Sequence, residues 1–128
     1  MRVISEKKLR DFWNDPKNEN TEEPLRSWIQ QVRKANWQTP ADVKRTYNSV
    51  DRVGRKLVFN VAGHRCRIIT VIDYEGHKVF IRAVLDHKEY DKENWKKDTF
   101  GDDWKKRETR RGGPGQRDRR PGKGRRRA

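Results

Sequence analysis

Three stretches decide the fold: Lys56-Leu57-Val58-Phe59-Asn60-Val61, Arg65-Cys66-Arg67-Ile68-Ile69-Thr70-Val71-Ile72-Asp73-Tyr74, and Lys78-Val79-Phe80-Ile81-Arg82-Ala83-Val84-Leu85. Each is rich in β-branched and aromatic residues, and each alternates with the period of two that a pleated strand requires. The breaks between them, Ala62-Gly63-His64 and Glu75-Gly76, carry the residues that tight reversals need. Three strands joined by short turns predict an antiparallel meander with one face free to accept an apolar cover.

That cover lies upstream. Val3-Ile4-Ser5 reads as a short edge strand, with Ser5 placed to cap a helix whose apolar stripe is Leu9, Phe12 and Trp13. Asp15-Pro16-Lys17-Asn18 ends it. Thr21-Glu22-Glu23-Pro24 opens a second helix, its acids and proline in the first turn where the free amides and the dipole favour them. Its stripe is Leu25, Trp28, Ile29 and Val32. A third helix is expected from Thr39 or Pro40, carrying Val43 and Tyr47. Trp28, Ile29, Val71 and Ile81 are expected to be buried between helices and sheet. After the strands, Asp86-His87-Lys88-Glu89 resembles a capping box opening a last helix, which runs through Tyr90 toward Trp95. The predicted architecture is α+β, with helices packed on one face of a small twisted antiparallel sheet.

The 128 residues hold 33 Lys+Arg against 19 Asp+Glu, a net charge of +14, and only 30% of them are hydrophobic. That supports one modest core and excludes a large multidomain enzyme. No run reaches the ~18–20 apolar residues of a membrane span, and the start lacks the apolar region of a secretory signal. Cys66 is the only cysteine, which excludes an internal disulfide framework or a multi-cysteine zinc site. A basic cytoplasmic protein with a polyanionic partner and no membrane association is expected. The charge is uneven. Residues 98–128 carry 12 basic and 5 acidic residues, and beyond Trp104 the one aliphatic side chain is that of Ala128. We therefore divide the chain into a folded domain, 1–97, and an Arg/Gly-rich basic tail, 98–128, expected to be disordered from about 106 and to bind phosphate backbones without sequence preference. Trp95, just before it, with Phe100 and Trp104 are expected to anchor its first part, by packing or by stacking on bases.

Strict alternation puts Val79, Ile81, Ala83 and Leu85 on one side of the third strand and Phe80, Arg82 and Val84 on the other. In the second strand Arg65 and Arg67 share a side. Arg65 reads as a solvated residue. For Arg67 and Arg82, solvation and a phosphate-binding fork stand as equal readings. His87, Tyr90 and Asp91 have helical spacing, which gathers them near one face. Cleavage of RNA by its own 2′-hydroxyl needs a proton removed there, a proton delivered to the 5′-oxygen, and cations for the phosphoryl charge, and a His, a Tyr and nearby guanidinium groups are a workable set for it. The plainer reading makes His87 a first-turn residue and Tyr90 a packing residue. A metal site from His87 and Asp91 is less favoured, because Asp86 serves as the cap and no second His or Cys lies in that element. No phosphate-cradling glycine loop, dinucleotide fingerprint or serine-nucleophile elbow occurs. No metal or other cofactor is expected.

Leu57-Val58-Phe59-Asn60-Val61-Ala62-Gly63, then Arg67, then Val79 through Lys92 resemble the HigB family of bacterial type II toxins. Arg2 through Trp13, Pro24 through Trp28, Ala35-Asn36-Trp37 and Asp51-Arg52-Val53 are similar too, so the resemblance covers 1–97. It implies a RelE-like fold and a messenger-RNA endonuclease that acts, in many relatives, on translating ribosomes without a metal and through 2′-hydroxyl attack. It also implies neutralisation by a helix-turn-helix, HigA-like antitoxin in a hetero-oligomer. Carried onto this chain, it assigns Arg67 and Arg82 to the phosphate and His87 with Tyr90 to proton transfer or base stacking. Asn60, Arg65, Lys88 and Lys92 become RNA contacts. The long basic tail departs from the family pattern. The competing reading is a catalytically inert RNA- or ribosome-binding protein.

Overall fold

In the computed structural model the five strands lie in the order β1-β5-β4-β3-β2, with β1 Arg2–Ile4, β2 Asp51–Val53, β3 Lys56–Val61, β4 Cys66–Asp73 and β5 Lys78–Leu85. The structure describes residues 1–63, 65–102 and 104. Met1–Asp98 form one compact unit, and a second begins at Thr99. The expectation of tail disorder from about 106 lies outside the described residues. Among these, no helix is long and apolar enough to cross a membrane.

The meander β3-β4-β5 is antiparallel, as its tight turns require. The sheet as a whole is mixed, because β1 pairs parallel to β5, with Val3 opposite Val79. Alternation in the sequence gives no partner for β1 and no signal for β2, which forms a hairpin with β3 around Gly54 at φ +60°. Three residues carry too little alternation to declare a strand.

Helices α1 Lys7–Asn14, α2 Glu22–Lys34 and α3 Pro40–Thr46 supply the cover. All three stripe residues of α1 and all four of α2 are buried against the sheet. Phe59 from β3 is the centre of an aromatic group, 5.2 Å from Trp28 and 6.1 Å from Trp37 between ring centroids. Such edge and stacked contacts add to the burial itself. Thr39 and Asp42 form a reciprocal capping box that starts α3. Ser5 does not cap α1 as expected. Glu6 occupies that position without a side-chain cap, and Ser5 Oγ accepts only a long 3.4 Å bond from the Lys7 amide.

The strict alternation expected of β5 fails at one residue. Ile81 pairs with Thr70 and Ala83 with Ile69, so Arg82 is the extra residue of a β-bulge. A bulge reverses the facing of everything after it. Val79 and Ile81 belong to the helix-side core with Val84, whereas Ala83 and Leu85 join Val58, Ile69, Tyr90 and Trp95 in a second cluster on the other side. Trp28, Ile29, Val71 and Ile81 are all buried, but Val71 has the parity of Ile69 and so faces away from the helices.

The second cluster is closed by α4 His87–Asp91. Asp86 caps it, its Oδ1 accepting from the Glu89 amide at 2.8 Å. Glu89 does not complete a capping box, since its carboxylate pairs with Lys92 at 2.7 Å. The helix stops at Asp91 rather than running on to Trp95. Glu93 takes a left-handed conformation at φ 62°, and a 3-10 helix, Asn94–Lys97, folds back over the sheet.

Candidate functional site

The bulge and α4 together build a polar cluster on the face opposite the helices. Arg67 stands on β4, level with Asn60 of β3 and Leu85 of β5. Its Nη1 donates to Oδ1 of Asn60, and Asn60 Nδ2 donates in turn to the Ser49 carbonyl at 3.3 Å. The guanidinium carbon lies 4.8 Å from the centre of the Tyr90 ring. Arg67 Nε is buried with no hydrogen-bond partner among the described residues. Asn60 thus fixes one prong of the guanidinium while Tyr90 lies against its plane.

Tyr90 is held from its other contacts by Trp95. The two rings are stacked, with centroids 5.1 Å apart and planes 11° from parallel. Trp95 Nε1 also donates to the Tyr90 carbonyl at 3.0 Å. Trp95 itself is buried beside Val58 and Ile69. Of the two readings of Trp95 from sequence, packing is the one observed.

Arg82, at the bulge, pairs with Asp98. Its Nε is 2.7 Å from Oδ2, and Nη2 donates to Oδ1 at 3.4 Å. Both side chains are about 30% exposed, so the pair is partly screened. The Asp98 carbonyl also accepts from the ammonium of Lys56, a buried lysine whose burial sequence reasoning missed. Alternation alone predicts Lys56 to share a face with Val58 and Asn60, which was the available signal.

The remaining residues named from sequence are placed differently. His87 lies on the exposed side of α4, 67% accessible, with Nε2 3.1 Å from Asp91 Oδ2. Helical spacing brought His87 to Asp91 as expected, whereas the direct contacts of Tyr90 run to Arg67 and Trp95. Lys88 is exposed. Lys92 is exposed too, and its hydrogen bond to Glu89 raises its pKa. Arg65 precedes β4 and donates to the Glu19 carbonyl in the loop before α2, whereas Arg67 bonds Asn60. Cys66, between the two arginines in sequence, is fully buried in the helix-side core, and burial pushes its thiol up to about 12.

The arrangement is that of a small basic α+β protein whose sheet carries an apolar, helix-covered face and an opposite face on which Arg67, Asn60 and Tyr90 meet. Residues 21–93 match the HigB toxin family, described as the RelE-like toxic component of a toxin–antitoxin system. The mRNA interferase toxin HigB of Escherichia coli strain K12 is 31% identical over 94 residues, covering 71% of this chain and 88% of that protein. The mRNA interferase HigB of Escherichia coli O157:H7 and that of Shigella flexneri match with the same figures. The chain belongs to the HigB toxin family.

Proposed function

We propose that this protein is the toxin of a type II toxin–antitoxin system and an endoribonuclease that cleaves messenger RNA at the Arg67–Tyr90 face. The observation that carries the reading is Arg67, held by Asn60 and laid against Tyr90 on a sheet face that the three large helices leave uncovered. The relatives' names, mRNA interferase, point to the same chemistry.

In the proposed reaction the ribose 2′-oxygen attacks the adjacent phosphorus as its proton is taken up by a base. The bond from phosphorus to the 5′-oxygen breaks, and that oxygen receives a proton. The products are a 2′,3′-cyclic phosphate and a 5′-hydroxyl. Arg67 meets the charge gathering on the phosphoryl oxygens, where a fixed donor is worth most. The Tyr90 hydroxyl and the His87 imidazole, one turn apart on α4, supply the proton transfers. Arg82 joins the phosphate by exchanging the Asp98 carboxylate for it. Lys88 and Lys92, exposed on and just after α4, carry the RNA backbone into the site, with the basic residues of 98–128 adding salt-sensitive affinity. Action on the translating ribosome in the cytoplasm, without a metal, and neutralisation by a helix-turn-helix antitoxin in a hetero-oligomer complete the proposal.

A second reading, RNA binding without cleavage, is favoured by two pairings. Arg82 already holds Asp98, and His87 already holds Asp91. The test is to add purified full-length protein to messenger RNA, free and on programmed ribosomes, and to sequence ends bearing a 5′-hydroxyl. New internal ends support the enzyme. RNA retention without new ends on either substrate supports the binder.

A further inference from the structure

Helix α4 has five residues. A single turn has no stability of its own, so the position of Tyr90 must come from contacts outside the helix. One end is fixed by the Asp86 cap. The other is followed by the left-handed Glu93, whose reversal turns the chain back and lays Trp95 against Tyr90.

Resting on the reading of this face as the cleavage site, we propose that Trp95 is a positioning residue that sets Tyr90 for catalysis, and that Tyr90 works through its hydroxyl edge rather than as a stacking platform. Trp95 lies two residues beyond the stretch matched to the family, 21–93. It is 7% exposed and grips Tyr90 twice, by ring stacking at 5.1 Å and by the 3.0 Å bond from Nε1 to the Tyr90 carbonyl. The Arg67 guanidinium lies 4.8 Å from the same ring. A near-parallel indole and a guanidinium both lie against this one six-membered ring. A nucleobase stacking on this ring competes with both partners, whereas the hydroxyl edge needs no such exchange. Loss of the indole frees the ring to swing, which degrades the geometry of proton transfer more than it degrades affinity.

The test compares full-length wild type, Tyr90→Phe, Trp95→Phe and Trp95→Leu, measuring single-turnover cleavage of ribosome-bound messenger RNA and, separately, the Kd for RNA. Tyr90→Phe should lower the rate by about 100-fold or more with Kd within about 3-fold, the size of a lost acid–base group. Trp95→Leu should lower the rate by about 10–100-fold at nearly constant Kd, and Trp95→Phe should restore most of it. Wild-type rates in Tyr90→Phe, or equal losses of rate and affinity in Trp95→Leu, would overturn the proposal. NMR gives a readout that needs no activity. The Tyr90 ring protons should show stacking shifts and contacts to Arg67 in wild type and Trp95→Phe, and lose them in Trp95→Leu. If Trp95→Leu does not fold, Glu93→Pro breaks the left-handed reversal, keeps the indole, and should reproduce the same losses. A wild type that cuts no RNA removes the enzymatic reading, while the NMR contacts still decide whether Trp95 positions Tyr90.

Discussion

Ile81 and Ala83 lie two residues apart on β5 and face opposite sides of the sheet, because Arg82 between them is passed over in the pairing with β4. The bulge therefore does three things at once. It keeps Ile81 in the helix-side core, and it turns Ala83 and Leu85 to the face where Tyr90 and Trp95 pack. It also leaves a charged residue where no ladder position has to be filled.

The helix-side core should dominate stability. Trp28 and Ile81 are 1% and 2% exposed. Trp28→Ala should cost about 3–5 kcal/mol and Ile81→Ala about 2–5 kcal/mol in urea unfolding, large fractions of a small domain's stability. A cost below about 1 kcal/mol for Ile81→Ala would contradict its assignment to that core.

Arg67 should not be replaceable by lysine. Lysine keeps the charge but loses the planar fork that Asn60 holds and Tyr90 supports. Arg67→Lys and Arg67→Ala should both reduce RNA cleavage by on the order of 100-fold, with Arg67→Lys retaining more RNA affinity. Single-turnover rates beside filter-binding titrations separate the two effects.

Cys66 should be inert in the native protein. Burial raises its thiol to about 12, with the nearby Arg67 charge opposing the shift only in part. A thiol-reactive dye near pH 8 should label it only as fast as the protein opens, and immediately in denaturant. Rapid labelling of the folded protein would show that β4 is more accessible than its packing indicates.

The start of α3 should be sensitive to acid. The Gln38 amide, with Arg45 and the Thr39 amide adding to it, holds the Asp42 carboxyl below its ordinary 3.8. A carboxyl lowered on folding stabilises the native state above its unfolded value and loses that contribution as pH falls through its folded value. Asp42→Ala should therefore lower Tm by a constant amount from about pH 5 to 7, and the gap to wild type should close below about pH 4. A gap that persists unchanged at low pH would mean that the carboxylate charge is not what holds the cap.

Much of this was legible before any coordinates. The stripes Leu9-Phe12-Trp13 and Leu25-Trp28-Ile29-Val32 repeat over enough residues for the helical period to declare itself, as do the three long strands for the period of two. Asp86 was readable as a cap because its chemistry is local. The bulge was not readable, since a single skipped residue leaves hydrophobic alternation nearly intact while reversing its meaning. Trp95 and Asp98 were missed as partners of Tyr90 and Arg82 because a left-handed Glu93 has no composition signal, and it is that turn which brings them back to the sheet. Arg65 lies one residue before the start of β4, where strand alternation no longer fixes which way a side chain faces.

The most direct test of the account is controlled expression of the full chain, its Arg67→Ala variant and its His87→Ala variant in a bacterial host, with growth followed and messenger-RNA 5′ ends mapped. Wild type should arrest growth and produce new internal ends, and Arg67→Ala should do neither. His87→Ala should also lose the new ends, since its imidazole is one of the two proton-transfer groups, and unchanged ends in it would remove His87 from the chemistry. Arrest without new ends in wild type, or the same ends in Arg67→Ala, would contradict cleavage at the Arg67–Tyr90 face.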